Sequence, residues 1–170
     1  MPHIPYVDDG PPELVAAIKA RRGGKLLNLD RMLLNSPAFA QGWNGFIGTV
    51  RGGLGISLKL QELAICAVAS LNRAEYEFVH HGPVFLRAGG TPEQLDALRD
   101  PTRAAHFFDE GEQAVLRLAV EMTRDIEVSA QTHALLRQLF SSAEAVELIG
   151  VIAAYNMVSR FLVATGVEPE

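Results

Sequence analysis

The stretch beginning at Leu58, LKLQELAICAVASLN, constrains this chain more than any other. Leu58, Ala64, Ile65, Val68 and Leu71 recur near helical spacing, and polar residues other than Lys59, Gln61 and Glu62 are scarce. A helix apolar almost all round has no face to offer water, so other elements must enclose it. Ser57 is placed to cap its first turn and Asn72-Arg73 to end it. Glu62 is its exception. A lone carboxylate early in a buried helix is either a first-turn charge favoured by the helix dipole or a group kept for chemistry.

The flanking sequence supplies enclosing helices. MPHIPYVDDGPPE is rich in Pro and Gly and reads as an extended arm over about residues 1–12, laid on the surface or on a neighbouring subunit. ELVAAIKARR follows as a helix that stops at Gly23-Gly24, and LLNLDRMLLNS as a second, short one. Ser36-Pro37 is an N-cap and N1 pair opening PAFAQGWNGFIGTVR. There Gly42, Gly45 and Gly48 strip bulk from one face at about 1 kcal/mol each relative to Ala. That predicts close approach by a helix or a subunit; the other reading is a weak, loop-like helix.

AEYEFVHHGPVFLRAGG is the next helix, with Pro83 expected to kink it and Gly89-Gly90 to close it. Thr91-Pro92-Glu93 opens PEQLDALRD, and EGEQAVLRLAVEMTRDIE, SAQTHALLRQLF and SSAEAVELIGVIAAYNMVSRFLVATG complete the chain. No segment shows sustained period-two alternation. The expectation is an all-α fold of about eight helices with short connections, as a single domain over residues 1–170.

At 48% hydrophobic and 21% charged residues, the chain has the composition of a soluble globular protein. Its net charge of −5 argues against nucleic acid or an anionic membrane as partner, because both select a dense cationic surface. Cys66 is the one cysteine, so no intrachain disulfide can form and a reducing compartment suits the chain. With no signal-peptide layout at the start and no evident apolar run of about 18 residues, the expected location is cytoplasmic, away from the membrane.

The chemistry-bearing residues crowd into AEYEFVHHG. On a helix Glu77 and His81 share a face, as do Tyr76 and His80, and Glu62 can arrive from the preceding helix. A Glu–His pair is a ready acid/base unit, since the carboxylate fixes the imidazole tautomer and favours its charged form. The same spacing also describes an exposed helix pair worth a few tenths of a kcal/mol. Adjacent His80 and His81 point about 100° apart, so this segment alone cannot assemble a four-ligand metal site. No metal or cofactor is expected. His3, His106 and His133 read as surface or structural histidines, and Cys66 as a packed thiol.

Glu62 with Leu63-Ala64, Leu71-Asn72, then Glu75-Tyr76-Glu77-Phe78-Val79-His80-His81, and Arg87-Ala88-Gly89-Gly90-Thr91-Pro92-Glu93 together resemble the carboxymuconolactone decarboxylase family, which includes the alkylhydroperoxidase D type. The ending YNMVSRFLVATGVE is similar to family members as well. The resemblance implies an alkylhydroperoxidase D-like helical bundle, assembled as a homo-oligomer, trimer or hexamer. The redox branch of the family carries Cys-x-x-Cys where this chain has Ala74 and Glu77, so the thiol route lacks both its attacking and its resolving sulfur. The decarboxylase branch needs no cysteine. By resemblance, His81 is the proton donor or shuttle, Glu77 its orienter, Glu62 a relay carboxylate, and His80 and Tyr76 hydrogen-bond the substrate, a small carboxylate or lactone. Phe78 stands where many relatives have Trp. The alternatives are a non-catalytic binding or assembly member, and peroxidase activity without the usual cysteine pair.

Overall fold

Backbone punctuation sets the helix boundaries where side-chain chemistry predicts them. The computed structural model describes residues 1–170 and contains nine α-helices: α1 (Pro12–Arg21), α2 (Asn28–Leu33), α3 (Pro37–Gly52), α4 (Leu58–Leu71), α5 (Glu75–Arg87), α6 (Pro92–Ala97), α7 (Glu110–Arg124), α8 (Ala130–Leu139) and α9 (Ser142–Thr165). One 3₁₀ turn lies at Ala105–Phe107, and there is no strand. Ser57 Oγ accepts from Leu60 N at the start of α4, and Thr91 and Asp109 form reciprocal capping boxes with Gln94 and Glu112. Ser36 occupies the N-cap position of α3 in extended conformation, but its hydroxyl makes no capping bond.

Where one domain was expected, contacts cluster into two compact units, Met1–Leu54 with Phe161–Glu170, and Gly55–Arg160. The first unit joins the two chain ends, which no linker-like composition announces.

In the first unit, Ile18, Leu33, Ala40, Trp43, Ile47 and Leu162 are buried together, and the Trp43 ring meets Phe161 at 5.1 Å between centroids. Asp30 is buried because it is paid for twice: it accepts from Leu27 N at 3.0 Å and pairs with Arg22 at 3.1 Å. The N-terminal arm lies along its own chain. His3 N donates to Thr165 O, Asn35 Nδ2 to Pro5 O, and Arg31 grips both oxygens of Asp8. Of the glycine stripe of α3, only Gly48 is approached within the chain, by Arg21 Cδ 3.7 Å from a methyl placed there, while nothing from elsewhere in the chain lies within 4 Å of one placed on Gly42 or Gly45.

The second unit is organised on α4, whose residues from Gln61 to Ala69 are all buried, against α5 and α7. The α4–α5 turn is tight: Arg73 adopts a positive φ of 57° and Ala74 N donates to Ala69 O. Glu147 of α9 accepts from Gly55 N and Ile56 N, holding the entry to α4. Contrary to the sequence reading, α9 is long and apolar enough by composition to cross a bilayer, but half of its apolar stretch is buried inside the protein. Leu148, Val151, Ile152 and Tyr155 form its inward face.

Gly90 closes α5, its N–H donating to Phe85 O, and a methyl at Gly90 would overlap the buried Phe85 ring. Gly90→Ala should therefore destabilise by about 1–3 kcal/mol through overpacking, whereas Gly42→Ala, in open space on a helix, should stabilise by about 0.5–1 kcal/mol. Thermal unfolding of the two variants should shift in opposite directions.

Candidate active site between α4, α5 and α9

The short α4–α5 turn brings the second turn of α4 to the first turns of α5, which places Glu62 beside His81. His81 Nδ1 lies 2.6 Å from Glu62 Oε2, and both residues are buried, at 7% and 1% exposure. The carboxylate accepts the Nδ1–H, which leaves Nε2 as the basic nitrogen and fixes the ring orientation. Tyr155 Oη stands 3.3 Å from Nε2, and the two rings meet edge to face at 5.1 Å. Glu62, His81 and Tyr155 form one buried line from carboxylate to imidazole to phenol.

Glu77, assigned above as the orienter of His81, does not hold that place. Its Oε2 accepts from Ser159 Oγ at 2.9 Å, while its Oε1 is buried without a hydrogen-bond partner. Helix geometry puts Glu77 and His81 on one face, but Glu62 reaches Nδ1. Burial drives the Glu77 carboxyl well above its ordinary pKa, and the Ser159 hydrogen bond opposes this only in part. The exposed-pair reading fails too, since both residues are inside.

Tyr76 is buried and His80 half-buried, with their rings stacked at 4.1 Å. His80 Nδ1–H donates to Tyr76 O at 2.7 Å, so these two candidate substrate ligands are tied to each other along α5. Cys66 is one helical turn beyond Glu62. Burial, and then the carboxyl groups of Glu62 and Glu77, push its thiol far above the range in which a thiolate forms at neutral pH. His106 stacks on Phe107 at the surface and His133 is exposed. No three His, Cys, Asp or Glu side chains are grouped to hold a metal ion.

Tyr155 and Ser159 are the residues that sequence reasoning missed. They are four apart on α9, so they share a face, and the segment YNMVSRFLV that carries them already resembled the family. Polar side chains at that spacing on the inward stripe of an apolar helix were the available signal.

This all-α chain has the alkylhydroperoxidase D-like fold. Its structure is similar to that of an uncharacterized peroxidase-related protein from Silicibacter sp. TM1040 (TM-score 0.84, 22% identity, 99% of this chain and 90% of that one). An alkylhydroperoxidase AhpD core, an uncharacterized peroxidase-related protein from Ralstonia eutropha JMP134, gives a TM-score of 0.85 at 19% identity, over 99% of this chain and 92% of that one. The debrominase Bmp8 gives 0.79 at 18% identity, over 94% and 87%. The carboxymuconolactone decarboxylase family model matches residues 37–121, half of the chain, and the protein belongs to this family. No curated protein matches the sequence significantly.

A carboxyl whose pKa rises on folding, as burial raises that of Glu77, binds more protons in the folded than in the unfolded chain between the two values. Its stabilising contribution is complete below the unfolded value of about 4.3 and is lost as pH rises through the folded value. Glu77→Gln should remove that dependence. Denaturant unfolding from acid to neutral pH should then show the variant gaining on the wild type as pH rises above about 4.3, by at most about 1.4 kcal/mol per pH unit.

Proposed function

We propose that the protein is a cofactor-independent acid/base enzyme of the decarboxylase type, acting on a small lactone carboxylate such as 4-carboxymuconolactone. The observation that carries this reading is the Glu62–His81–Tyr155 line, with contacts of 2.6 and 3.3 Å inside a buried site. In the proposed reaction the bond from the ring carbon to the carboxylate breaks and its electron pair moves through the ring alkene into the lactone carbonyl. CO₂ leaves, and the resulting enolate takes one proton at the carbon α to the carbonyl. His81, oriented by Glu62 and first protonated at Nε2 from water, supplies that proton directly or through Tyr155 and returns to neutral imidazole, and a second proton from water restores the imidazolium. Low dielectric around the site strengthens each hydrogen bond to the developing enolate oxygen.

The family membership supports this reading, and so does the state of the one cysteine: Cys66 is held as a thiol, and Ala74 and Glu77 stand at the positions of the redox pair. A non-catalytic member of the family is the competing reading. The burial of Glu62, His81 and Tyr155 favours it, because a fully enclosed polar line can serve packing alone.

The test is CO₂ release from 4-carboxymuconolactone. The wild type should turn over, His81→Ala should lose about 100-fold or more, and Glu62→Gln and Tyr155→Phe should each lose part of the rate. A well-folded wild type that releases no CO₂ removes the decarboxylase assignment for this substrate, and peroxide reduction abolished by Cys66→Ser would restore the thiol route.

The same reading includes assembly into a homo-oligomer, trimer or hexamer. Val146, Gly150, Ala153 and Met157 are exposed at helical spacing on α9, an apolar stripe with little side-chain bulk. Sedimentation of the wild type should give an oligomer that Ala153→Glu dissociates. A wild-type monomer at micromolar concentration would contradict it.

A further inference from the structure

Glu77 has no role in the Glu62–His81–Tyr155 line, yet it is among the most enclosed side chains in the protein, at 1% exposure. An ionised carboxylate in that position would need cations or several donors around it. It has one donor, Ser159 Oγ on α9, and forms no salt bridge. Glu62 and Glu77 both bear on Cys66 of α4, His81 lies one turn along the helix that carries Glu77, and Tyr155 lies one turn before Ser159 on α9. Arg99, the cation that bears on Cys66, is engaged outside with Glu75 at 2.8 Å and over the Phe78 ring at 3.7 Å.

A neutral carboxylic acid resolves the local accounting. Its carbonyl oxygen is then Oε2, which accepts from Ser159, and its hydroxyl is Oε1. A hydroxyl is a donor, and Oε1 is buried with no hydrogen-bond partner in the protein. Buried donors without acceptors are rare enough to require a reason. This one lies one helical turn from His81, on the same face of α5.

We propose that Glu77 is held as a neutral carboxylic acid whose Oε1 hydroxyl is a hydrogen-bond donor for the carbonyl oxygen of the bound ligand. The choice of a lactone carbonyl as that acceptor rests on the decarboxylase reading above. As electron density moves from the departing carboxylate into the carbonyl, the oxygen becomes an enolate oxygen and the hydrogen bond from Oε1 strengthens. No proton need leave Glu77: the hydroxyl stabilises the charge, and the carbon is protonated from the His81 side. A protonated acid suits this task because a carboxylate would repel both the ligand's own carboxylate and the enolate. Ser159 orients the acid by occupying its other oxygen.

Infrared difference spectroscopy reads this without turnover. At neutral pH the wild type should show the C=O stretch of a protonated carboxyl, shifted in D₂O and missing from both Glu77→Gln and Glu77→Leu. Saturating muconolactone, which lacks the departing carboxylate, should bind with its lactone C=O stretch moved to lower frequency in the wild type. Glu77→Gln, which keeps an N–H donor, should retain part of that shift, and Glu77→Leu none; circular dichroism and thermal unfolding establish that both variants are folded. In a protein that turns over, Glu77→Leu should lower kcat about 100-fold, the usual cost of one such donor.

Absence of the carboxyl band, or a lactone shift equal in the wild type and Glu77→Leu, overturns the proposal. The two readings fail separately. A carboxyl band and a Glu77-dependent lactone shift without CO₂ release uphold the donor and remove the decarboxylase. CO₂ release from a wild type lacking the band does the reverse.

Discussion

The enclosure of α4 is the constraint on which the second unit depends. Its residues from Gln61 to Ala69 are buried without interruption, so whatever polar groups it carries must find partners inside the protein. Glu62 finds His81 at 2.6 Å, and that pair in turn fixes which imidazole nitrogen is left for chemistry. The turn at Asn72–Ala74, with Arg73 in the left-handed region, makes the pairing possible by folding α5 straight back onto α4.

From that pair the site grows by satisfying polar atoms one at a time. Tyr155 meets Nε2 of His81, and Ser159, one turn further along α9, meets Glu77. The two carboxyls on α4 and α5 thereby acquire different characters: Glu62 accepts from a histidine, whereas Glu77 has a single hydroxyl donor and is pushed by burial toward its neutral form. Two carboxyls in one site with different environments are the ordinary means of obtaining a base-orienting group and a neutral donor together. Cys66 shares the neighbourhood and is kept inert by the same burial.

Much of this was legible in the residues. Helix type and order followed from apolar spacing and from caps such as Ser57, Thr91 and Asp109, because those signals are local and each is read from a few adjacent residues. Glu62 stood out because a charged group inside an apolar helix is costly and needs an explanation, and Glu77 and His81 because their spacing puts them on one helix face. The extended arm was legible, but which surface it lies on was not, and no helix of the chain covers Gly42 or Gly45 of the α3 stripe, since neither a helix face nor an extended segment states what will cover it. The division of the chain into two units was invisible for a related reason: one unit is made from both chain ends, and sequence composition reports neighbours along the chain only.

The sequence by itself determined that Glu77 and His81 share a face of one helix and that an enclosed helix bearing Glu62 precedes them, because helical periodicity is a property of the backbone. Only the tertiary structure decided which carboxyl serves which partner. His81 and Tyr155 are 74 residues apart, Glu77 and Ser159 are 82 apart, and Glu62 rather than its near neighbour Glu77 reaches the imidazole. Those assignments depend on how α4, α5 and α9 pack, and packing is settled by the collective burial of side chains from all three, which no spacing within a single segment encodes.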